Sequence, residues 1–279
     1  MLISTRKKIA MARLASIGVL GLRRLAGRGH RAEVRRGGVN WSLDLHEGID
    51  FAIYLTGYFE PRTVAAYRRL LAPGSVAVDV GANMGAHTLH LSSCVGRDGR
   101  VLAFEPTAEA YRRLTRNIAI NPELSRRIEA MQTMLVAAPD TALEPTVYAS
   151  WPLRSPSDAH HLHLGVALST EGANISTFDD AVAAAGLDRV DLIKLDVDGH
   201  ELDVLRGART TLTQYHPTIV MELTSYTLEE RGHDPAELAS LLEDMNYRLH
   251  DLGGRSLLGG TDAVFKLPAG HSLNVIALA

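Results

Sequence analysis

The stretch Leu-Ile-Lys-Leu-Asp-Val-Asp-Gly-His-Glu, residues 192–201, puts five ionisable side chains at the mouth of an apolar run. These are Lys194, Asp196, Asp198, His200 and Glu201; Glu222 closes a second apolar run, Ile-Val-Met-Glu. Charges gathered in this way are costly unless they pair with one another or serve a site. If the first strand continues, Asp196 and Asp198 share a face and Gly199 starts the turn. Asp196, Asp198, His200 and Glu222 could then orient an acceptor hydroxyl, take its proton, or hold a divalent ion. The alternative is a capping and salt-bridge network around Lys194 and Arg206.

A second group lies upstream. Val-Asp-Val-Gly-Ala-Asn-Met-Gly, residues 78–85, ends one apolar run and opens a helix. Gly81 and Gly85 permit a tight turn and close approach of the backbone to a ligand. A dinucleotide loop wants three glycines, G-x-G-x-x-G, so that pyrophosphate can lie on the helix N-terminus. Here Asp79 is still on the strand, and Ala82 and Asn83 fill the turn. A carboxylate at that point repels phosphate and can receive an ammonium group. Glu105, followed by Pro106, ends the next apolar run about 20 residues on, where an acid accepts hydrogen bonds from ribose hydroxyls. Loop and acid together suit S-adenosylmethionine, which has an amino-acid end, free ribose hydroxyls and no phosphate.

The elements that must position these residues are legible as alternation. Residues 39–45 alternate apolar and polar as a strand does. Helical spacing over 63–71 stops at Ala72-Pro73-Gly74. Strands are predicted at 76–80, 101–104, 128–136, 191–197, 218–223, 247–252, 263–267 and 274–278. Helices are predicted at 88–94, 108–120, 177–185, 201–212 and 235–245. Residues 138–172, rich in Pro, Ser and His, read as an irregular insertion. Strands alternating with helices imply an α/β fold, a mostly parallel sheet covered on both faces. Ligands in such sheets bind beyond the carboxyl ends of the strands, where the strand order reverses.

Composition sets outer bounds. The chain has 279 residues, 46 % hydrophobic and 22 % charged, with a formal net charge of −3. No global field argues for a nucleic-acid partner, and none is expected. The single cysteine, Cys94, excludes an intramolecular disulfide and a Cys-cluster zinc site, in keeping with an expected cytoplasmic location. No membrane-spanning helix is expected. Residues 1–38 form a basic N-terminal extension, and 39–279 the cofactor-binding domain carrying the insertion 138–172. The extension reads as an amphipathic helix with Ile9, Leu14, Ile17, Val19 and Leu20 on its apolar side. Packing on its own domain is the favoured use of that side, ahead of a homodimer partner or an anionic membrane surface.

Taken in order, Asp-Val-Gly-Ala-Asn-Met-Gly, Ala-Phe-Glu-Pro, Thr-Phe-Asp-Asp and Lys-Leu-Asp-Val-Asp-Gly-His-Glu-Leu-Asp-Val-Leu-Arg-Gly-Ala resemble the FkbM-type methyltransferases. Glu47-Gly48 and Gly57-Tyr58-Phe59-Glu60 resemble that family's lead-in. The resemblance implies a class I methyltransferase fold, Rossmann-like with seven strands, and O-methylation of a sugar, glycolipid or polyketide-type product. It implies that Asp79, Gly81, Asn83 and Gly85 surround the methionine part of the cofactor. Glu105 would take the ribose, with Ala82, Thr88 and Pro106 completing the set, and Asp196 would lie near the sulfonium and the acceptor. Family members generally carry Glu where this chain has Asp198. No metal is expected, although Asp196, Asp198 and Glu222 have the chemistry to hold one. The triplet His160, His161 and His163 reads as exposed loop histidines. A nucleotide-dependent oxidoreductase, or a non-catalytic module of the same fold, is the competing reading.

Overall fold

The computed structural model describes residues 5–153, 159–161, 164–257 and 271–279. Helix α1 (Thr5–Leu25) leads into the hairpin β1 (Arg31–Arg36) and β2 (Val39–Asp44), then α2 (Gly48–Thr56) and α3 (Pro61–Leu70). The next stretch holds β3 (Val76–Val80), α4 (Thr88–Cys94), β4 (Arg100–Phe104), α5 (Ala108–Ala119), α6 (Pro122–Ser125) and β5 (Ile128–Met131). Short strands follow, β6 (Thr133–Leu135), β7 (Thr146–Ser150), β8 (Val166–Ser169) and β9 (Asn174–Ser176), then helix α7 (Phe178–Ala184). The chain returns through β10 (Leu192–Leu195), α8 (Glu201–Arg206), α9 (Arg209–Tyr215) and β11 (Thr218–Leu223). It closes with α10 (Ser225–Glu230), α11 (Pro235–Asp244), β12 (Arg248–Asp251) and β13 (Leu273–Leu278).

Apolar, β-branched runs with no alternation are suited to burial on both faces, and they make the central sheet. Its order is β12-β13-β11-β10-β3-β4-β5. Only β13 runs antiparallel to its neighbours, so the predicted mostly parallel seven-stranded sheet is found. The chain builds outward from β3 to β5, then returns to β10 on the other side of β3. Strand order therefore reverses between β3 and β10, and the mouths of these two strands define the crevice.

That junction is tight. Asp196 N donates to Val80 O at 3.1 Å. Gly81 has φ of 81°, and a Cβ there would overlap the Asp196 carbonyl. The glycine is needed for strand-to-strand approach. Gly85 similarly faces Leu114 on α5, where a Cβ would sit 3.0 Å from Cδ1.

Several expectations are corrected. Residues 128–136 are two strands, because β5 pairs with β4 in the main sheet while, past Gln132, β6 pairs with β9 outside it. The segment 201–212 is split into α8 and α9, because Gly207 meets the Val136 carbonyl and leaves no room for a side chain. The insertion is not wholly irregular: β7 and β8 form an antiparallel pair. β10 ends at Leu195, so alternation does not carry on to Asp198, which instead has φ of 48°. Helix α1 buries Ile9 and partly buries Val19 and Leu20, but Leu14 and Ile17 are 73 % and 70 % exposed. The strand predicted at 263–267 lies outside the described residues. Elements at 31–36, 48–56 and 225–230 were not predicted at all.

The N-terminal elements and the insertion fold together. Gly48 N donates to Trp151 O at 2.9 Å, and Leu153 N to His46 O at 2.6 Å. Glu47 accepts from the Ser150 hydroxyl at 2.9 Å and from Trp151 N at 3.2 Å. Trp41, Phe51, Ile53, Met84 and Leu153 make a second apolar core beneath this assembly.

Gly81→Ala should destabilise the fold by about 2–3 kcal/mol or more, through steric overlap and an unfavourable φ. The urea midpoint of the variant measures this; an unchanged midpoint would mean the β3–β10 junction can relax.

Candidate cofactor and acceptor site

A cavity of about 480 Å³ opens over the mouths of β3, β4, β10 and β11. Of the predicted cofactor residues, Gly81, Ala82, Asn83, Glu105, Pro106 and Asp196 line it. The predicted acceptor-side residues Asp198, His200 and Glu222 line it too. Asp79, Gly85 and Thr88 do not; they lie behind the wall. The buried Asp79 accepts from the Thr88 hydroxyl at 2.6 Å, and its other oxygen, Oδ1, is without a hydrogen-bond partner among the described residues.

Glu105 is 3 % exposed and ties two loops together. It accepts from Asn83 N at 2.9 Å, from Thr107 N at 2.9 Å and from the Thr107 hydroxyl at 2.5 Å. A carboxylate has about four lone-pair sites, so capacity remains for a ligand hydroxyl. Asn83 sits at φ of 48°, and its side-chain amide donates to Ala149 O on β7 at 2.8 Å. The loop after β3 is thus fastened to β4 on one side and to the insertion on the other.

The electrostatics centre on Lys194. It is 1 % exposed, pairs in register with Asp79 on β3, and holds Asp196 at 2.6 Å. Of the predicted network, Lys194 takes part, while Arg206 points away to Asp203 and Glu237. One cation does not balance the acids around it. Burial, then Asp196, raises Glu60 above the usual carboxylate range, while Lys194, Asn274 and Thr63 pull it back. Burial and repulsion from Asp196 and Glu60 push Glu222 up to about 8. Asp198 is raised well above its ordinary value by burial, Asp196, Glu222 and Glu201. The imidazole of His200 is pushed down to about 4 by burial and by Arg231, so it is neutral near pH 7.

Sequence reasoning assigned no role to Glu60 or His87, and both line the cavity. The Glu60 carboxylate accepts from the Asn274 amide at 2.6 Å and from the Thr63 hydroxyl at 3.2 Å. His87 Nδ1 is 3.1 Å from the Tyr67 hydroxyl, and Nε2 is 3.6 Å from Glu60. Burial and Lys194 push the His87 imidazole well below its ordinary value. Glu60 stands after an aromatic pair at a helix start, a signal that was available but not specific. The insertion contributes Tyr148 and Trp151 to the wall, and His160 packs edge-on against Tyr148 and 3.1 Å from Glu230. His163 lies outside the described residues.

The lining contains five carboxylic acids, Glu60, Glu105, Asp196, Asp198 and Glu222, and no Lys or Arg among the described residues. Such a lining disfavours a pyrophosphate and suits a ligand bearing a sulfonium and an ammonium. The residues present therefore fit S-adenosylmethionine and not a dinucleotide.

Glu105→Ala should weaken S-adenosylmethionine binding by about 1–3 kcal/mol, through lost charge-assisted hydrogen bonds. Calorimetric titration reads this directly, and unchanged affinity would leave Glu105 a purely structural tie.

The methyltransferase FkbM domain family matches residues 79–249, well over half of the chain. Methyltransferase sdnD of Sordaria araneosa is 30 % identical over 195 residues, spanning 61 % of this chain and 72 % of that protein. Hexuronic acid methyltransferase AglP of Haloferax volcanii is 30 % identical over 169 residues, spanning 60 % of each chain. The solved methyltransferase FkbM of Methylobacillus flagellatus KT is 17 % identical, covering 77 % of this chain and 50 % of that one, with a TM-score of 0.43. The chain belongs to the FkbM methyltransferase domain family and is an S-adenosylmethionine-dependent methyltransferase.

Proposed function

We propose that the chain methylates a hydroxyl oxygen of a sugar-bearing or polyketide-type small molecule. The acid-lined cavity free of Lys and Arg among the described residues carries this reading. A neutral hydroxyl can donate to such a wall, whereas an acceptor carboxylate or phosphate adds repulsion. Phe59, Tyr148, Trp151 and Tyr226 line the same space and offer flat surfaces for a sugar ring. The relative named for a hexuronic acid acts on a sugar acid, which supports the saccharide part of this reading and not the choice of hydroxyl over carboxylate.

When bound, S-adenosylmethionine supplies a methyl group on a positively charged sulfur. Gly81, Ala82 and Asn83 would hold its amino-acid end and Glu105 and Pro106 its ribose, with Asp196 at the same strand mouth. Phe104, Met134 and Leu135 line the same cavity and would offer the adenine an apolar surface. Asp196, fixed by Lys194, cannot swing away to pair elsewhere. Glu222, raised to about 8, is a far stronger base than an ordinary carboxylate and takes the acceptor proton on its carboxylate oxygen. Asp198, raised well above its ordinary value by burial and by the neighbouring acids Asp196, Glu222 and Glu201, lines the wall beside Glu222 and helps orient the acceptor hydroxyl. Neutral His200 lines the wall as a contact, since an imidazole pushed down to about 4 is a poor base.

A base works in its deprotonated form, so kcat/KM should rise about tenfold per pH unit below pH 8 and level off above it. Glu222→Gln should remove that limb and lower kcat about 10²–10⁴-fold. A profile that is flat in the wild type would take the base role from Glu222. Asp196→Asn should keep cofactor binding and lose turnover, measured by titration and by methyl gain in a mass spectrum. Heat with S-adenosylmethionine but none with NAD is expected, and the reverse would overturn the cofactor assignment. Methyl transfer to a carboxylate or amine, and to no hydroxyl, across a panel of glycosides would overturn the acceptor reading.

A further inference from the structure

Helix α1 is apolar on two opposite faces. Ile9, Ala12, Val19 and Leu20 turn toward the domain. Met11, Leu14, Ile17, Leu22 and Leu25 turn outward and are 64–88 % exposed, and Leu55 of α2 is 51 % exposed. Between Lys8 and Arg23 the sole charged residue is Arg13, whose guanidinium reaches the Pro152 carbonyl at 3.5 Å. Arg23 is likewise turned in, onto the carbonyls of Gly29 and Arg31. A helix apolar all round is normally buried, and an exposed patch of this size marks a contact surface.

Charge identifies what covers it. Residues 1–38 hold ten basic side chains and one acid, while the rest of the chain holds 19 against 31. Lys7 at one end of the helix, and Arg24, Arg28, Arg31 and Arg35 at and beyond the other, are exposed. An apolar helical face bracketed by cations is the pattern of a helix lying in the headgroup region of an anionic bilayer. A second copy of this chain would bring two strongly basic segments together. A nucleic acid would engage the cations and leave the apolar face in water.

We propose that α1 docks lengthwise on an anionic membrane surface, with Met11, Leu14, Ile17, Leu22 and Leu25 sunk among the lipids. Ile9 and Ala12, on the opposite face, line the cavity. A helix is about 10 Å across, so docking sets the cavity one helix thickness from the bilayer. The proposal does not depend on which acceptor is methylated.

The test is co-sedimentation of the full chain with vesicles of equal parts phosphatidylglycerol and phosphatidylcholine, against pure phosphatidylcholine. Binding at least tenfold stronger to the anionic vesicles, and weakened by salt, is expected. Arg24→Glu with Arg28→Glu should weaken it at least 25-fold, at about fivefold per cation removed. Leu14→Glu with Leu22→Glu should abolish it while S-adenosylmethionine affinity, titrated on the same preparation, is unchanged. That titration separates a failure of docking from a failure of folding or of the methyltransferase site. No binding to anionic vesicles, or equal binding by the leucine double variant, overturns the proposal. A dimer in sedimentation equilibrium that the leucine variant dissolves would assign the face to a second copy. Retention by duplex DNA in place of vesicles would overturn it equally.

Discussion

One buried cation among many acids organises the site. Lys194 stands on β10 beside Asp79 of β3 and holds Asp196 at the point where the strand order reverses. Its ammonium is too deep to be screened by water, so each neighbouring carboxylate feels it strongly. The balance is nonetheless acidic. Asp79, Glu60, Asp198 and Glu222 are all raised above ordinary carboxylate values, each with burial as the first cause. An acid-rich lining of this kind favours a cationic ligand over an anionic one. The donor carries a positive charge that the demethylated product lacks, so in the proposed reading the same lining would favour binding the one and releasing the other.

Around that centre the protein separates two tasks by origin in the chain. In the proposed reading the sheet mouths supply the donor side, with backbone turns at Gly81 and Asn83 and the tie through Glu105. The rest of the cavity wall, where that reading puts the acceptor, is assembled from distant pieces: Glu60 from the lead into α3, Tyr148 and Trp151 from the insertion, Tyr226 from α10. Glu47 joins the N-terminal part to the insertion by accepting from Ser150 and Trp151. Neither segment lines the cavity alone.

The donor side was legible in the sequence because its residues sit at fixed places on strands, and strands announce themselves as short apolar runs. Glycine spacing, Asp79 and Glu105 sufficed to propose an adenosyl ligand before any coordinates. The acceptor side was not legible in the same way. Glu60 and His87 approach Lys194 only through tertiary folding, and no periodicity predicts that meeting. Asp198 shows a middle case. Its presence at the strand mouth was read correctly, but its side was argued from alternation, and β10 stops three residues earlier. The left-handed φ of 48° at that position also favours Asp over the longer Glu, since short polar side chains tolerate that region best. For α1, spacing found the helix and placed Ile9, Val19 and Leu20 on the domain side, but not Leu14 and Ile17, because apolar residues on two opposite faces leave no unique face to read.

The hydrogen bond from the Asn83 amide to the Ala149 carbonyl links the donor loop to the acceptor wall. Its acceptor is main chain, which every residue offers, so the link makes no demand on the side chains of the β7 hairpin. In the proposed reading, Tyr148 and its neighbours could be exchanged, and the wall's chemical preference rewritten, while the loop after β3 stays anchored. Novelty in what is modified is thereby insulated from the machinery that does the modifying, and the hairpin is the natural region to redesign when a different acceptor is wanted.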